Sequence, residues 1–179
     1  TSQVYYDAKV TDILADYCVR NAPGMPLGSF YGYKTGGVNP ETGELIYLDT
    51  NEDGEVTAND RTYMGDPNPD FTFGMTNTFQ FYGVTISFLL QGSYGNDVFN
   101  ASRIETEGMY DAKNQSIRVL DRWRRPGMIT SIPKAGFDMK VSDYFVEDGS
   151  YIRLKDLTIG YEFSGDWMKK IGMTRLQPY

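Results

Sequence analysis

A stretch of alternating side chains, "FTFGMTNTFQFYGVTISFLLQGSYG" (Phe71–Gly95), decides the fold class. Apolar residues recur at every second position, most of them separated by Thr, Ser, Gly or Gln, and Leu89 is the main exception. Alternation with a period of two is typical of a β-strand with one apolar face. Because Tyr82 and Gly83 separate two such runs, the sequence predicts a tight antiparallel hairpin of two strands, 71–81 and 84–94.

Two further strands are predicted near the end of the chain. In residues 151–163, Leu157, Ile159 and Tyr161 alternate with small or polar side chains, and residues 173–179 begin another strand. The sequence therefore predicts an all-β fold of antiparallel strands.

Long connections precede and separate these strands, at 21–70 and 96–149, and are rich in Gly and Pro. Within the second connection, residues 115–123 fit a short helix. Loops of about 50 residues are unusual in a compact soluble domain. Short turns that alternate with long loops are typical of an outer-membrane β-barrel, whose strands turn an apolar face to lipid and a small polar face to the lumen. A soluble β-sandwich that buries the apolar face fits the same periodicity, so the pattern alone leaves both architectures open.

The composition excludes several classes of protein. The chain has no His and a single Cys, Cys18, which removes Ser-His-Asp and Cys-His catalysis, disulfide frameworks and Cys/His zinc sites. We therefore do not expect an enzyme. The net charge of −7 argues against nucleic acid as a partner. A transmembrane helix needs a run of about 18 apolar residues, and the sequence contains no such run.

The stretch "DTNEDGEVTAND" (Asp49–Asp60) has the spacing of a calcium-binding loop of the EF-hand kind. Such a loop places oxygen ligands at positions 1, 3, 5, 7, 9 and 12 and Gly at position 6, which here is Gly54. Position 12 is Asp rather than the usual Glu, and position 7 contributes its carbonyl oxygen. The predicted Ca²⁺ ligands are Asp49, Asn51, Asp53, Glu55, Thr57 and Asp60.

The surroundings of this loop limit what a cation would do there. Residues 40–70 hold nine acidic side chains and one basic side chain, Arg61, so the acidity of the chain is concentrated around the loop. Gly and Pro on both sides rule out the helix pair of a calcium sensor. We expect a cation that clasps a long loop and does not act as a switch. The alternative is a solvated acidic turn.

Several separate motifs, in order, resemble the C-terminal part of the SusC/RagA-type TonB-dependent outer-membrane transporters. They are the run Phe30–Tyr33, the acidic loop Asp49–Asp60, the turn Gly65–Pro69, the segment Asp121–Trp123 and the run Glu147–Leu154. The similarity begins at about Gly24 and covers most of the chain. It implies that residues 1–179 are the C-terminal portion of a large transmembrane β-barrel with long extracellular loops, a plugged barrel of about 22 strands in the bacterial outer membrane.

The resemblance also implies a function and partners. Transporters of this type import glycans or peptides together with a SusD-like lipoprotein, and are powered through TonB. Because the plug and the TonB-contacting segment are absent here, we expect the chain to need the remainder of the same transporter, and TonB to act only through those segments. The chain would itself contact membrane lipid and substrate.

Two hypotheses from different classes therefore stand. In the first, the chain supplies barrel wall and extracellular loops to a transporter. In the second, it is a secreted soluble calcium-binding β-domain for adhesion or carbohydrate binding. Detergent dependence separates them, because only a lipid-facing sheet should aggregate when detergent is withdrawn.

Overall fold

The computed structural model describes residues 18–163, together with Gly172 and Pro178. They fall into two compact units. The loop unit comprises the described residues up to Asn68 together with Asn96–Gly149, and the sheet unit comprises Pro69–Gly95 with the described residues from Ser150 onward. Most of the regular structure is antiparallel strand, which confirms the predicted all-β fold class. No helix in this part of the chain has the length and hydropathy to cross a membrane.

The described residues form short paired strands in the loop unit and three long strands in the sheet unit. In the loop unit β1 pairs with β4, β2 with β3 and β7 with β8, and in the sheet unit the order is β5-β6-β9. One α-helix, α1, spans Ser102–Glu107. The strands are β1 (Phe30–Gly32), β2 (Thr35–Val38), β3 (Leu45–Tyr47), β4 (Thr62–Gly65), β5 (Phe71–Phe81), β6 (Val84–Tyr94), β7 (Asp97–Phe99), β8 (Val146–Asp148) and β9 (Tyr151–Tyr161).

Strands β5 and β6 have the bounds that the alternation predicts, and a two-residue turn joins them. Tyr82 has a φ of 47° and Gly83 a φ of 81°, so both lie in the left-handed region that a type I′ hairpin turn requires. Strand β9 ends at Tyr161 rather than at 163. The predicted strand 173–179 lies outside the described residues, apart from Pro178.

The three long strands hold their side chains in matched rows. One row, on the apolar face, joins Phe79, Ile86 and Ile159. The next row, on the opposite face, carries hydroxyl groups, and two of them lie 3.1 Å apart. Its members are Thr78, Ser87 and Thr158.

A β-bulge keeps the apolar face continuous along β9. Leu89 pairs with Asp156 whereas Leu90 pairs with Leu154, so β9 has one extra residue at this point. The extra residue shifts the alternation by one position, and Leu154 and Leu157 therefore share the apolar face. The sequence prediction of one uninterrupted strand did not include this bulge, although apolar residues change from even to odd numbers there.

Most of the large side chains on this face are exposed. Phe79 and Ile159 are 58% and 60% exposed, and Ile152 is 73% exposed. A soluble sandwich would bury such a face beneath a second sheet. Strands β5 and β9 also each have an edge without a strand partner among the described residues. The sheet unit thus has the features of a piece of a larger sheet.

The loop unit has a small core of its own. The predicted loops 21–70 and 96–149 contain six short strands that their Gly and Pro content concealed. The predicted helix at 115–123 is a 3₁₀ turn, Ile117–Asp121, and the α-helix lies instead at Ser102–Glu107. The buried apolar side chains of this unit are Cys18, Phe30, Tyr33, Leu45, Val119, Ile132, Val141 and Phe145.

Trp123 fastens two distant segments of the loop unit. Its indole Nε1–H donates to the carbonyl oxygen of Pro40 at 2.7 Å, and its backbone N–H donates to the carbonyl of Ile132 at 3.0 Å. The ring packs on the backbone at Gly43, where an added Cβ would lie 2.4 Å from ring atoms. The ring therefore serves packing within this unit.

This contact predicts different costs for two glycine substitutions. Gly43 and Gly37 both have positive φ values, 74° and 92°, but nothing lies within 4 Å of a Cβ built at Gly37. Gly37→Ala should cost about 1 kcal/mol from backbone strain alone. Gly43→Ala should cost about 2–4 kcal/mol, because the Trp123 ring must also move away from Pro40. Denaturant unfolding followed by tryptophan fluorescence measures both, and equal costs would contradict the packing role of Trp123.

Candidate functional site

The acidic loop joins β3 to β4 and is closed by the carboxylate of Asp60. This side chain is fully buried. One oxygen, Oδ1, accepts the backbone N–H groups of Thr50 at 2.8 Å and Asn51 at 3.2 Å, and the other, Oδ2, accepts the N–H of Thr57 at 2.7 Å. The Thr50 hydroxyl donates to the carbonyl oxygen of Asp60 at 2.9 Å. These bonds tie the start of the loop to its end.

The 3₁₀ turn Ala58–Asp60 supports this closure. Thr57 is its N-cap, and its hydroxyl accepts the N–H of Asn59 at 3.3 Å. The Asp60 carboxylate reaches back to the N–H of Thr57, so the two residues form a capping box. The sequence prediction treated Asp60 only as a cation ligand and did not include Thr50. The capping pattern Thr-x-x-Asp was the signal that could have identified the structural role of Asp60.

A second group of polar side chains organises the first half of the loop. Asp49 Oδ2 accepts the N–H of Gly54 at 2.7 Å, and Asp49 Oδ1 accepts that of Asp53 at 3.3 Å. Asn51 Oδ1 also accepts the Asp53 N–H, at 3.1 Å, and its amide donates to Asp53 Oδ2 at 2.8 Å. Asp53 Oδ1 in turn accepts the N–H of Glu55 at 3.0 Å. Three of the predicted ligands, Asp49, Asn51 and Asp53, are therefore neighbours.

Two backbone conformations allow the chain to wrap around these side chains. Gly54 has a φ of 90° and Glu52 a φ of 60°. The glycine at loop position 6 is thus in the left-handed region where a sharp turn needs it. Among the residues described, no three Asp, Glu, His or Cys side chains are grouped closely enough to hold a metal ion as they stand.

The electrostatics of the loop centre on Asp60. Hydrogen bonds to its carboxylate lower the pKa of Asp60, the bond from the Thr57 N–H most strongly and those from Asn51 and Thr50 as well, while burial opposes the shift. Hydrogen bonding with the side chain of Asp49 lowers the pKa further.

The depressed pKa predicts a pH-dependent effect of Asp60→Asn. A carboxylate whose pKa is lower in the folded state stabilises the fold above its unfolded pKa of about 3.9, and this contribution is lost as the pH falls through the folded pKa. The variant should therefore be less stable than the wild type at neutral pH, and the difference should shrink in acid. Thermal unfolding at pH 7 and pH 3.5 measures this difference. The control is Glu52→Gln, an exposed change in the same loop. A difference that does not change with pH would contradict the role of Asp60.

The amino-acid sequence is similar to those of several known proteins. No family model matches the chain. It is 28% identical to "TonB-dependent receptor P3" of Formosa agariphila over 87% of its own length and 17% of that protein. It is 33% identical to "TonB-dependent receptor P26" of the same organism, over 76% of the chain and 14% of the relative. It is 26% identical to "TonB-dependent receptor SusC" of Bacteroides thetaiotaomicron, over 80% of the chain and 14% of the relative.

The fold of the chain is also similar to that of a solved structure. The "RagAB peptide transporter" matches with a TM-score of 0.69 at 22% identity, over 83% of this chain and 18% of that one. The chain thus spans less than a fifth of the length of the proteins that it matches. Matches in three named receptors and one transporter structure confirm the resemblance stated from the motifs.

Proposed function

Since this chain belongs to the SusC/RagA-type TonB-dependent receptors of the bacterial outer membrane, we propose that it forms barrel wall and extracellular loops of an importer. The importer takes up glycans or peptides with energy from TonB. The partners are the plug and remaining strands of the same transporter, and a SusD-like lipoprotein at the extracellular face. Its role is transport and not catalysis.

The exposed apolar face of the sheet unit is the observation that carries this proposal. Strands β5, β6 and β9 are each 11 residues long, which is enough for a tilted strand to cross a bilayer. Apolar rows on one face and hydroxyl-bearing rows on the other match the two environments of a barrel wall. The outer edges of β5 and β9 have no strand partner among the described residues, although the Tyr161 N–H donates to the carbonyl of Pro178. These edges need neighbouring strands, because only a closed barrel satisfies every backbone group in lipid.

The alternative, a secreted soluble domain for adhesion or carbohydrate binding, predicts a covered apolar face. A soluble monomer rarely exposes a contiguous apolar surface of more than a few hundred Å². The exposed residues of the sheet unit, which include Phe79, Phe81 and Ile159, therefore favour the membrane protein. If the protein stayed monomeric in buffer without detergent, the soluble alternative would be the better account.

The acidic loop is proposed to bind Ca²⁺ on the extracellular side. The donors are oxygen atoms, which suits a hard cation, and Asp49, Asn51 and Asp53 already adjoin one another. A carboxylate oxygen has two lone pairs, so Asp49 Oδ2 and Asp60 Oδ2, which each accept one backbone N–H, can also bind a cation, whereas Asp60 Oδ1 already accepts two. The full proposed set is the side chains of Asp49, Asn51, Asp53, Thr57 and Asp60 and the carbonyl oxygen of Glu55.

The hydrogen bonds refine the expected role of the cation. Repulsion between carboxylates would open an unsupported loop, but Asp60 and Asp49 already bind backbone N–H groups at both ends of this one. The cation would therefore neutralise and stiffen a loop that is already closed. Modest affinity is sufficient, because extracellular sites of this kind work at about 10⁻⁴–10⁻³ M Ca²⁺.

Calorimetry on the intact receptor tests the cation site. We expect the wild type to take up Ca²⁺ at millimolar concentration and Asp53→Ala to bind at least tenfold more weakly, since it loses a carboxylate next to Asn51. Glu52→Gln changes an exposed charge in the same loop and should bind as the wild type does. Absence of Ca²⁺ uptake, or equal binding by Asp53→Ala, would leave the loop a solvated acidic turn.

A matched pair of arginine substitutions tests the barrel wall and the import function together. Ile86→Arg should cost about 2–4 kcal/mol if the side chain lies near the bilayer midplane, whereas Ser87→Arg should cost little because it faces the lumen. Receptor-deficient cells carrying each variant report its abundance in the outer membrane and its TonB-dependent uptake. We expect both to fall for Ile86→Arg and abundance to persist for Ser87→Arg. Equal tolerance of the two variants would contradict the lipid-facing assignment, and uptake that persists without TonB would contradict the import mechanism.

A further inference from the structure

Two rows on the apolar face of the sheet unit have the same outer residues and differ only at their centre. In each row β5 contributes Phe and β9 contributes Ile, but β6 contributes Ile86 to the lower row and Gly92 to the upper row. The upper row, nearer the ends that join the long connections, therefore lacks a central side chain. The rows are Phe79, Ile86 and Ile159 (lower) and Phe73, Gly92 and Ile152 (upper).

The missing side chain leaves a notch in the apolar face beside Gly92. The ring of Phe73 leans over this glycine, where an added Cβ would clash with it and would lie 2.7 Å from the carbonyl oxygen of Tyr151. Phe73 is accordingly 38% exposed, less than its counterpart Phe79 in the lower row. Ile152, across the glycine from Phe73, is 73% exposed. The packing of Phe73 thus keeps the centre of the row free of a side chain.

Aromatic rings form the walls of this notch, whose volume is about 510 Å³, within the range of sites for small ligands. Phe71 and Tyr94 stack at its upper side with ring centroids 5.4 Å apart, and the Phe71 ring lies 6.3 Å from that of Phe73. Ile152 lines the opposite side. No charged side chain of the described residues lines the notch, so its chemistry suits hydrocarbon.

The position of the notch within the sheet determines what covers it. Gly92 lies on the central strand β6, between β5 and β9, so strands that extend the sheet at its edges do not lie over it. A barrel wall is one sheet thick, its polar face meets the lumen, and its apolar face meets lipid. A second layer of protein is therefore not expected over the notch, and its occupant is a lipid chain.

The depth of the notch indicates which part of the lipid lies there. The 11 residues of β5 rise about 34 Å along the strand, or about 26 Å across a bilayer at a tilt of about 40°. This height matches the apolar band of about 25 Å in outer-membrane barrels. The row of Phe73 lies two residues, or about 5 Å of depth, from the edge of that band. Acyl chains lie at this level, just beneath the headgroups, and the Tyr94 ring with its hydroxyl suits the boundary.

We propose that the notch at Gly92 seats one acyl chain of lipopolysaccharide, the lipid of the outer leaflet, and the inference rests on the barrel wall in the proposed function. The long loops of outer-membrane barrels are extracellular, which places the upper row in the outer leaflet. Lipid chains are as apolar as Leu, so the preference for a seated chain comes from van der Waals packing against fixed rings. Several chains share one headgroup in lipopolysaccharide, so its other chains stay beside the wall and raise the local concentration at the notch.

Photolabelling of the intact receptor in nanodiscs of phosphatidylethanolamine tests the proposal. The probe is lipopolysaccharide with a diazirine on its acyl chains, and mass spectrometry maps the labelled residues. We expect labelling around the upper row to saturate as the probe fraction rises, and labelling around the lower row to increase in proportion to the probe. The same diazirine on phosphatidylethanolamine should label both rows in proportion and saturate neither.

Two matched pairs of variants test the notch itself. Ile152→Trp fills the notch from an exposed position and should lower the saturable labelling of residues 71–73 at least fivefold, whereas Ile159→Trp should leave it unchanged. Phe71→Ala removes a wall and should lower the saturable labelling at least threefold, whereas Phe79→Ala should not change it. The amount of folded receptor in the nanodiscs is measured for each variant, and labelling is expressed per folded receptor.

The remaining outcomes separate the notch from the barrel wall. Labelling of both rows in proportion to the lipopolysaccharide probe would show only the ordinary lipid shell, which would overturn the notch and leave the proposed function standing. Saturable labelling by the phosphatidylethanolamine probe would overturn lipopolysaccharide as the occupant. If neither probe labelled either row, the apolar face would not meet lipid, and both the notch and the barrel wall would be overturned.

Discussion

The pairing of β5, β6 and β9 in a single register is the constraint on which the structure of the sheet unit depends. A slip of one residue would exchange the row of Phe79, Ile86 and Ile159 for the row of hydroxyl-bearing side chains. The type I′ turn at Tyr82 and Gly83 fixes the register of the first pair, and the bulge in β9 corrects that of the second. Both devices serve one result, a continuous apolar face.

The loop unit meets a different requirement, which is to give long connections a defined shape with a small core. Its polar groups form hydrogen bonds, many of them between residues that are far apart in the sequence. Asp60 closes the acidic loop through three backbone N–H groups, Trp123 binds the carbonyl of Pro40, and Arg103 joins Glu107 to the Tyr144 carbonyl. The buried charges in this set, Asp60, Arg103 and Glu107, are costly to remove singly, because each loss leaves an uncompensated partner. The result is a scaffold that holds the acidic loop in a defined shape.

The sequence predicted the long strands well because their signal is local. Alternation and the Tyr82-Gly83 pair specify a hairpin without reference to any distant residue. The short strands of the loop unit were missed because strands of three or four residues depend on distant partners, as β1 depends on β4. For the acidic loop, spacing identified the cluster of Asp49, Asn51 and Asp53 but not the burial of Asp60, whose carboxylate accepts the N–H groups of residues 50 and 51.

In the proposed barrel one face of the sheet meets lipid and the other meets the lumen, and the accessibility of spin labels in a bilayer distinguishes the two faces. In the intact receptor with its native cysteines replaced by serine, Cys18 among them, nitroxide labels are placed on cysteines introduced one at a time. The labelled positions are the row of Phe79, Ile86 and Ile159 and the row of Thr78, Ser87 and Thr158. Oxygen, which concentrates in lipid, should relax the first three labels more strongly, and a water-soluble nickel reagent should relax the other three more strongly. Equal accessibility of the two rows, or the reverse pattern, would contradict it.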